Sequence, residues 1–214
     1  MLVGERMTKR PITVDPETPF EDALHLMRRE KIRRLPVVDK KGKLVGIVTE
    51  KDLLYASPSP VTSLSIYELH YLLSKLKVHE VMTKEVITVT EYTPLEEAAR
   101  IMADNKIGAL PVMRGDKLVG IITETDLFKI FLEMLGAREK GVRLAMLVPE
   151  QKGVLAQITG EIAQMGGNII SLGTFLGEDP TNRLVTIKVA DVSKEALTST
   201  MEALGMEVVD VRET

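Results

Sequence analysis

Short β-branched runs alternate with stretches in which apolar residues recur every three or four positions, and this order is written twice in the first 135 residues. "PITV" at Pro11–Val14 and "VITV" at Val86–Val89 predict strands. Thr18-Pro19-Phe20-Glu21 and Thr93-Pro94-Leu95-Glu96 predict helix starts, with Thr as N-cap, Pro at the first helical position and Glu completing a capping box. Ala23, Leu24, Met27 and Ile32 follow at helical spacing, as do Ala98, Ile101 and Met102. "RLPVVD" and "KLVGIVT" predict two strands joined by a turn at Asp39-Lys40-Lys41-Gly42, and a helix starts at Thr49. Each copy therefore reads strand, helix, strand, strand, helix.

The repetition extends to the letters. "VGERMTKRPITV" answers to "VHEVMTKEVITV", "TPFEDALHLMRREKIRRLPVVD" to "TPLEEAARIMADNKIGALPVMR", and "KLVGIVTEKDLL" to "KLVGIITETDLF", with roughly half of the aligned positions identical. Two copies are too few for a solenoid; they imply a pseudo-symmetric pair in which each half covers the other's apolar face. Residues 1–56 and 78–136 are the two copies. Between them, residues 57–77 hold a rigid Ser57-Pro58-Ser59-Pro60 loop and a helix from about Ile66 to Lys77, opened by a Ser65-x-x-Glu68 capping box. Apolar residues surround much of that helix, which fits a dimer contact or packing between the copies equally well.

A polar linker at 137–141 leads into a third pattern. "VRLAMLVP", "NIISLGTFLG", "RLVTIKVA" and "EVVDVR" predict strands, and "GVLAQITGEIAQMG" and Ser193–Leu204 predict helices. The order over 142–214 is βαββαβ, which is ferredoxin-like. The fold class is α+β throughout.

Composition narrows the chemistry. Aromatics make up 4% of the chain, Trp is absent and the net charge is −3, which argues against a nucleic-acid surface. With no cysteine, disulfides, thiolate metal sites and Cys nucleophiles are excluded. Glu5, Arg6, Lys9 and Arg10 break any leader-like run, and no stretch approaches a membrane span, so a cytoplasmic protein is expected. His25, His70 and His79 lack metal-ligand spacing and read as structural. No nucleophile–base pair or phosphate loop appears, so no enzyme is expected.

The most informative phrase is "GIVTEKDL" at Gly46–Leu53, repeated as "GIITETDL" at Gly120–Leu127. Thr49-x-x-Asp52 is a capping pattern in its own right. The same geometry serves a ligand: the helix N-terminus suits phosphate, the carboxylate suits ribose hydroxyls, and glycine permits close approach. Both uses are compatible.

The repeated "MT", "TP.E.A", "I..LPV", "KLVGI" and G-h-h-T-x-x-D motifs, covering about residues 1–135, resemble a tandem CBS-domain pair, or Bateman module. The resemblance implies clefts that bind AMP, ADP, ATP or S-adenosylmethionine. It implies a first set of Ile12, Thr13, Ile32, Leu35, Pro36, Gly46, Thr49 and Asp52, and a second of Ile87, Thr88, Ile107, Leu110, Pro111, Gly120, Thr123 and Asp126. Arg33, Arg34 and Lys51 would grip phosphate; the second copy has Gly108, Ala109 and Thr125 there, so phosphate binding is expected to be lopsided. A solvated helix-to-strand connection is the other reading of Arg33 and Arg34.

"VPEQKGVLAQIT" with "GGNIISL" resembles the ACT domain, which implies an amino-acid site or a dimerisation surface. Glu150, Gly153 and Asn168 are the candidate ligand residues, although Glu150-Gln151-Lys152-Gly153 replaces the usual Asp-x-Pro-Gly. The "PSP…SIYELHYLL" insert resembles acetoin-utilisation regulatory (AcuB-like) proteins. The resemblances together imply a homodimeric, non-catalytic regulator acting on a target protein; a structural adaptor with empty clefts is the rival.

Overall fold

A computed structural model describes residues 1–56 and 75–214. The Pro-rich loop, most of the connecting helix and His70 lie outside the described residues. The chain divides into two compact units, Met1–Leu127 and Phe128–Thr214.

The first unit contains α1 (Val3–Arg6), β1 (Thr8–Lys9), α2 (Phe20–Glu30), β2 (Arg34–Val38), β3 (Leu44–Thr49) and α3 (Glu50–Ala56). The second repeat gives α4 (Val78–Val81), β4 (Val89–Thr90), α5 (Leu95–Asn105), β5 (Ala109–Arg114), β6 (Lys117–Thr123) and the start of α6 (Glu124–Met134). Apolar spacing on α2 buries Phe20, Ala23, Leu24 and Met27, which meet Leu35, Val37 and Val48 of the β2–β3 hairpin and Leu53 of α3. Asp39 builds the hairpin turn: its Oδ1 accepts from the amides of Lys41 and Lys43 at 2.8 and 2.9 Å, and Gly42 takes φ +77°.

Two local expectations fail, each for a physical reason. Thr18 and Thr93 are not N-caps. The prolines that follow them sit at ψ 141° and 144°, so the helices start one residue later, at Phe20 and Leu95. Each threonine hydroxyl instead closes the preceding turn, accepting from the Asp15 or Thr90 amide at 3.1 Å. "PITV" and "VITV" are not full strands either. Val14 makes a single parallel bridge to Val37, and only Val89–Thr90 pairs with β5, because these segments cross between sheets and pair only at their ends.

That crossing organises the pair. β1, from the first repeat, is antiparallel to β6 of the second, giving the sheet order β1-β6-β5-β4. Reciprocally, Thr83 of the second repeat bridges Ile47 of β3, with backbone hydrogen bonds of 3.0 and 2.9 Å. Glycine permits both crossings. A Cβ on Gly46 would stand 2.4 Å from Met82 Sδ and 3.0 Å from the Thr83 carbonyl oxygen; one on Gly120 would stand 2.3 Å from Met7 Sδ.

The second unit runs from the rest of α6 through β7 (Val142–Pro149), α7 (Val154–Gln164), β8 (Asn168–Leu176), β9 (Asn182–Ala190), α8 (Lys194–Ala203) and β10 (Glu207–Glu213). Its sheet has the order β10-β7-β9-β8, so the βαββαβ path closes with the outer strands following the helices. One face carries Leu144, Met146, Val185, Ile187 and Val189 against Ile158 and Ile162 of α7 and Leu197 and Met201 of α8. Ser193 caps α8, accepting from the Ala196 amide at 3.2 Å. On the other face Asp210 pairs with Arg212 and Arg143, both at 2.8 Å, and these guanidiniums hold its carboxyl below the usual carboxylate range.

Gly46→Ala is expected to lower stability by about 1–3 kcal/mol, because the crossing backbone at Thr83 must move as well as the Met82 side chain. Urea unfolding measures this as a lower midpoint at unchanged slope.

Candidate functional site

Thr49 and Asp52 lock the first turn of α3 reciprocally. The Thr49 amide and hydroxyl both donate to Asp52 Oδ2, at 2.9 and 2.7 Å, and the Asp52 amide donates back to Thr49 Oγ1 at 3.2 Å. This is a capping box with aspartate as the third residue. It uses the hydroxyl proton of Thr49 and one oxygen of Asp52, and leaves Oδ1 as the acceptor that can take a ligand hydroxyl. Thr123 and Asp126 repeat the arrangement at 3.0, 2.7 and 3.4 Å.

Asp52 faces a cavity of about 560 Å³, within the range that holds small-molecule ligands. Thr49, Lys51, Asp52, Arg33 and Arg34 line it from the first repeat, and Ile87 and Ile107 from the second. The expectation that each cleft is assembled from one repeat is therefore corrected. Because Thr83 pairs with β3, the chain that follows it carries Ile87 alongside Thr49 and Asp52. Ile12 occupies the corresponding position in the other repeat, downstream of β1 on β6, and is as exposed as Ile87, at 39% each.

Other candidates lie elsewhere. Leu35 and Leu110 are fully buried, and Pro36 and Pro111 are buried strand residues. Ile32 packs on the first hydrophobic core. Gly46 and Gly120 meet Met82 and Met7, so the close approach they permit is by the protein's own chain. Thr13 and Thr88 flank Ile12 and Ile87 without lining this cavity.

The cavity also contains residues that the motifs did not single out, including Thr83, Glu85 and Lys106. Thr83 was within reach of a sequence reading, as half of the repeated "MT". Lys106 was less so. It ends α5 in the left-handed conformation at φ 53°, as Lys31 ends α2 at φ 55°, which is a costly backbone state for a non-glycine residue. Arg34 reaches across the pair to Glu124, with Nη2 3.4 Å from Oε2, and stands where a Cβ on Gly108 would be, 2.0 Å away. Gly108 is thus a gap that admits the Arg34 side chain.

In the second unit, Glu150 pairs with Arg183. Gly153, at φ 92°, is the N-cap of α7, and Asn168 begins β8 beyond the other end of that helix. The eleven helical residues of α7, about 16 Å of helix, lie between Gly153 and the turn that leads to Asn168. His79 contacts the Pro16 carbonyl at 3.1 Å and Glu17 at 3.3 Å, a local packing role. Among the described residues, no group of three metal-binding side chains occurs, and no helix is long and apolar enough to cross a membrane.

A repeated strand–helix–hairpin–helix unit with a shared cleft defines a class of paired-repeat modules. The family model for the CBS domain matches residues 3–59 and 78–133, and the chain belongs to that family. The chain resembles a Vibrio cholerae protein assigned to acetoin utilization (AcuB), with 37% identity, a TM-score of 0.54, and 65% of this chain and 96% of that one covered. It is similar to the CBS domain pair of protein MJ0100, solved with 5'-methylthioadenosine and S-adenosyl-L-methionine, at 30% identity and TM-score 0.52, over 65% of this chain and 98% of that one. It also resembles Arabidopsis thaliana CBSX2, solved with AMP, at 36% identity and TM-score 0.51, over 61% of this chain and 96% of that one.

Glu124 competes with any anion for Arg34. Glu124→Gln should therefore tighten AMP binding by about three- to fivefold, the scale of one exposed ion pair, and leave adenosine unchanged. Calorimetric titration of both ligands against the two proteins provides the check.

Proposed function

We propose that this protein is a non-catalytic regulatory sensor that binds an adenosine-containing ligand, of the AMP, ADP, ATP or S-adenosylmethionine type, in the cleft shared by its CBS repeats. One observation carries the reading: a ribose acceptor, several cations and an apolar wall from the opposite repeat line the same cavity. Asp52 Oδ1 suits a ribose hydroxyl. Ile87 and Ile107 suit the faces of an adenine. Arg33, Arg34, Lys51 and Lys106 suit phosphate oxygens, and arginine does so bidentately. The relatives solved with AMP, methylthioadenosine and S-adenosylmethionine support this ligand class.

A ligand held by both repeats can favour one arrangement of the pair over another. It does so only to the extent that it binds the two arrangements unequally. We assign the second unit the role of an ACT-type module, either a second ligand site or a dimerisation surface; its βαββαβ order supports this. The likeness to the acetoin-utilization protein supports a role in acetoin or acetate metabolism, exerted in the cytoplasm by a homodimer on a protein target.

Thermal-shift and calorimetric titration with AMP, ADP, ATP, S-adenosylmethionine and adenosine tests the reading. The melting temperature should rise with the logarithm of ligand concentration. Asp52→Ala should weaken AMP and adenosine alike, by about tenfold or more, the scale of a hydrogen bond to a charged group. Arg33→Ala combined with Arg34→Ala should weaken AMP at least about tenfold and adenosine little. Equal loss for AMP and adenosine would remove the two arginines from phosphate binding. No response to any of the five compounds at millimolar concentration would overturn the sensor reading in favour of a structural adaptor.

A further inference from the structure

The face of the second unit's sheet opposite α7 and α8 carries an unusual row. Arg212, Arg143, Lys188 and Ser171 are direct cross-strand neighbours across all four strands. Like charges placed opposite one another in a sheet repel. Arg143 and Arg212 share one carboxylate, Asp210. Lys188 has no carboxylate partner among the described residues. Its ammonium donates to the Gly136 carbonyl at 2.9 Å, just past the end of α6, and that bond uses one of its three protons.

Burial sharpens the imbalance. Among the described residues, the buried polar side chains are Lys188, at 4% exposure, and Ser171, at 9%. Both line one cavity of about 240 Å³, together with Arg143 and Thr186. A buried charge costs several kcal/mol unless it is paired. The Ser171 and Thr186 hydroxyls make no hydrogen bond to a described residue, so their donors are available to the cavity. Phe175, Leu184 and Leu135 supply its apolar wall.

We propose that this cavity is a binding site for a small carboxylate with a short hydrocarbon body. The carboxylate is held by Lys188, Arg143 and the Ser171 and Thr186 hydroxyls, and the hydrocarbon lies against Phe175 and Leu184. The cavity is less than half the size of the first unit's cleft, about 240 against 560 Å³, which suits a small ligand over a nucleotide. The apolar wall favours an organic acid over an inorganic anion. The site is separate from the cleft of the first unit, and its existence does not depend on what that cleft binds.

Butyrate, its neutral isostere butyramide and inorganic phosphate serve as probes on the full-length protein, at constant ionic strength, by calorimetry and thermal shift. Butyrate is expected to bind and to raise the melting temperature, with butyramide and phosphate binding at least tenfold more weakly. Arg143→Gln and Thr186→Val should each weaken butyrate by at least threefold, and Lys188→Met should abolish its binding. Should Lys188→Met fail to fold, the other two variants decide the matter. The proposal is overturned by no response to butyrate at 50 mM, by equal binding of butyramide or phosphate, or by unchanged butyrate affinity in both Arg143→Gln and Thr186→Val.

Discussion

Everything in the first unit depends on a close approach of backbone to backbone. Met82 and Thr83 cross over Gly46, and Met7 and Thr8 cross over Gly120, so closely that a β-carbon would press on the crossing carbonyl oxygens at 3.0 and 3.1 Å and displace both methionine side chains. Through these crossings each repeat lends its opening segment to the sheet of the other. The two repeats thereby share hydrogen bonds as well as an apolar face, and neither sheet is complete without the other's contribution. The cleft inherits this exchange: its Asp52 carboxylate and the isoleucines of its apolar wall come from opposite repeats because the chain crosses before it reaches the cleft.

The same site shows how one group of atoms can fix a helix start and keep an oriented acceptor facing a cavity. The Thr49–Asp52 box satisfies amides at the start of α3 and fixes the aspartate rotamer. A carboxylate already oriented by the backbone loses little freedom when it accepts a further hydrogen bond, which is the advantage of preorganisation. Arg34 is less settled. Its guanidinium is held by Glu124 across the pair, so an incoming phosphate exchanges one anionic partner for another. The inequality between the repeats, with Gly108 and Ala109 at the positions of Arg33 and Arg34, is also a fit: Gly108 leaves the room that the Arg34 side chain occupies.

In the second unit the order of elements follows directly from the hydrophobic pattern, since alternation along β7 and β9 and helical spacing along α7 and α8 converge on one core. The opposite face follows a different logic. There Lys188 is buried beside cations, held by a single carbonyl and a cavity edge, and local pattern gives no reason for it.

The sequence by itself determined the repeat, the α+β class, the order of the longer helices and hairpin strands, the hairpin turn at Asp39–Gly42 and the Thr–Asp boxes. All of these rest on periodicity or on contacts within four residues. It also identified Arg33, Arg34 and Lys51 as a source of asymmetry. Only the tertiary structure decided that Ile87 and Ile107 stand with Thr49 and Asp52, that Gly46 accommodates Met82, and that Lys106 joins the cleft. These are pairings between residues tens of positions apart, and a one-dimensional pattern that is nearly the same in both repeats cannot say which copy supplies which wall. The row from Arg212 to Ser171 belongs to the same category, because strand register places those side chains in line and nothing in their local sequence does.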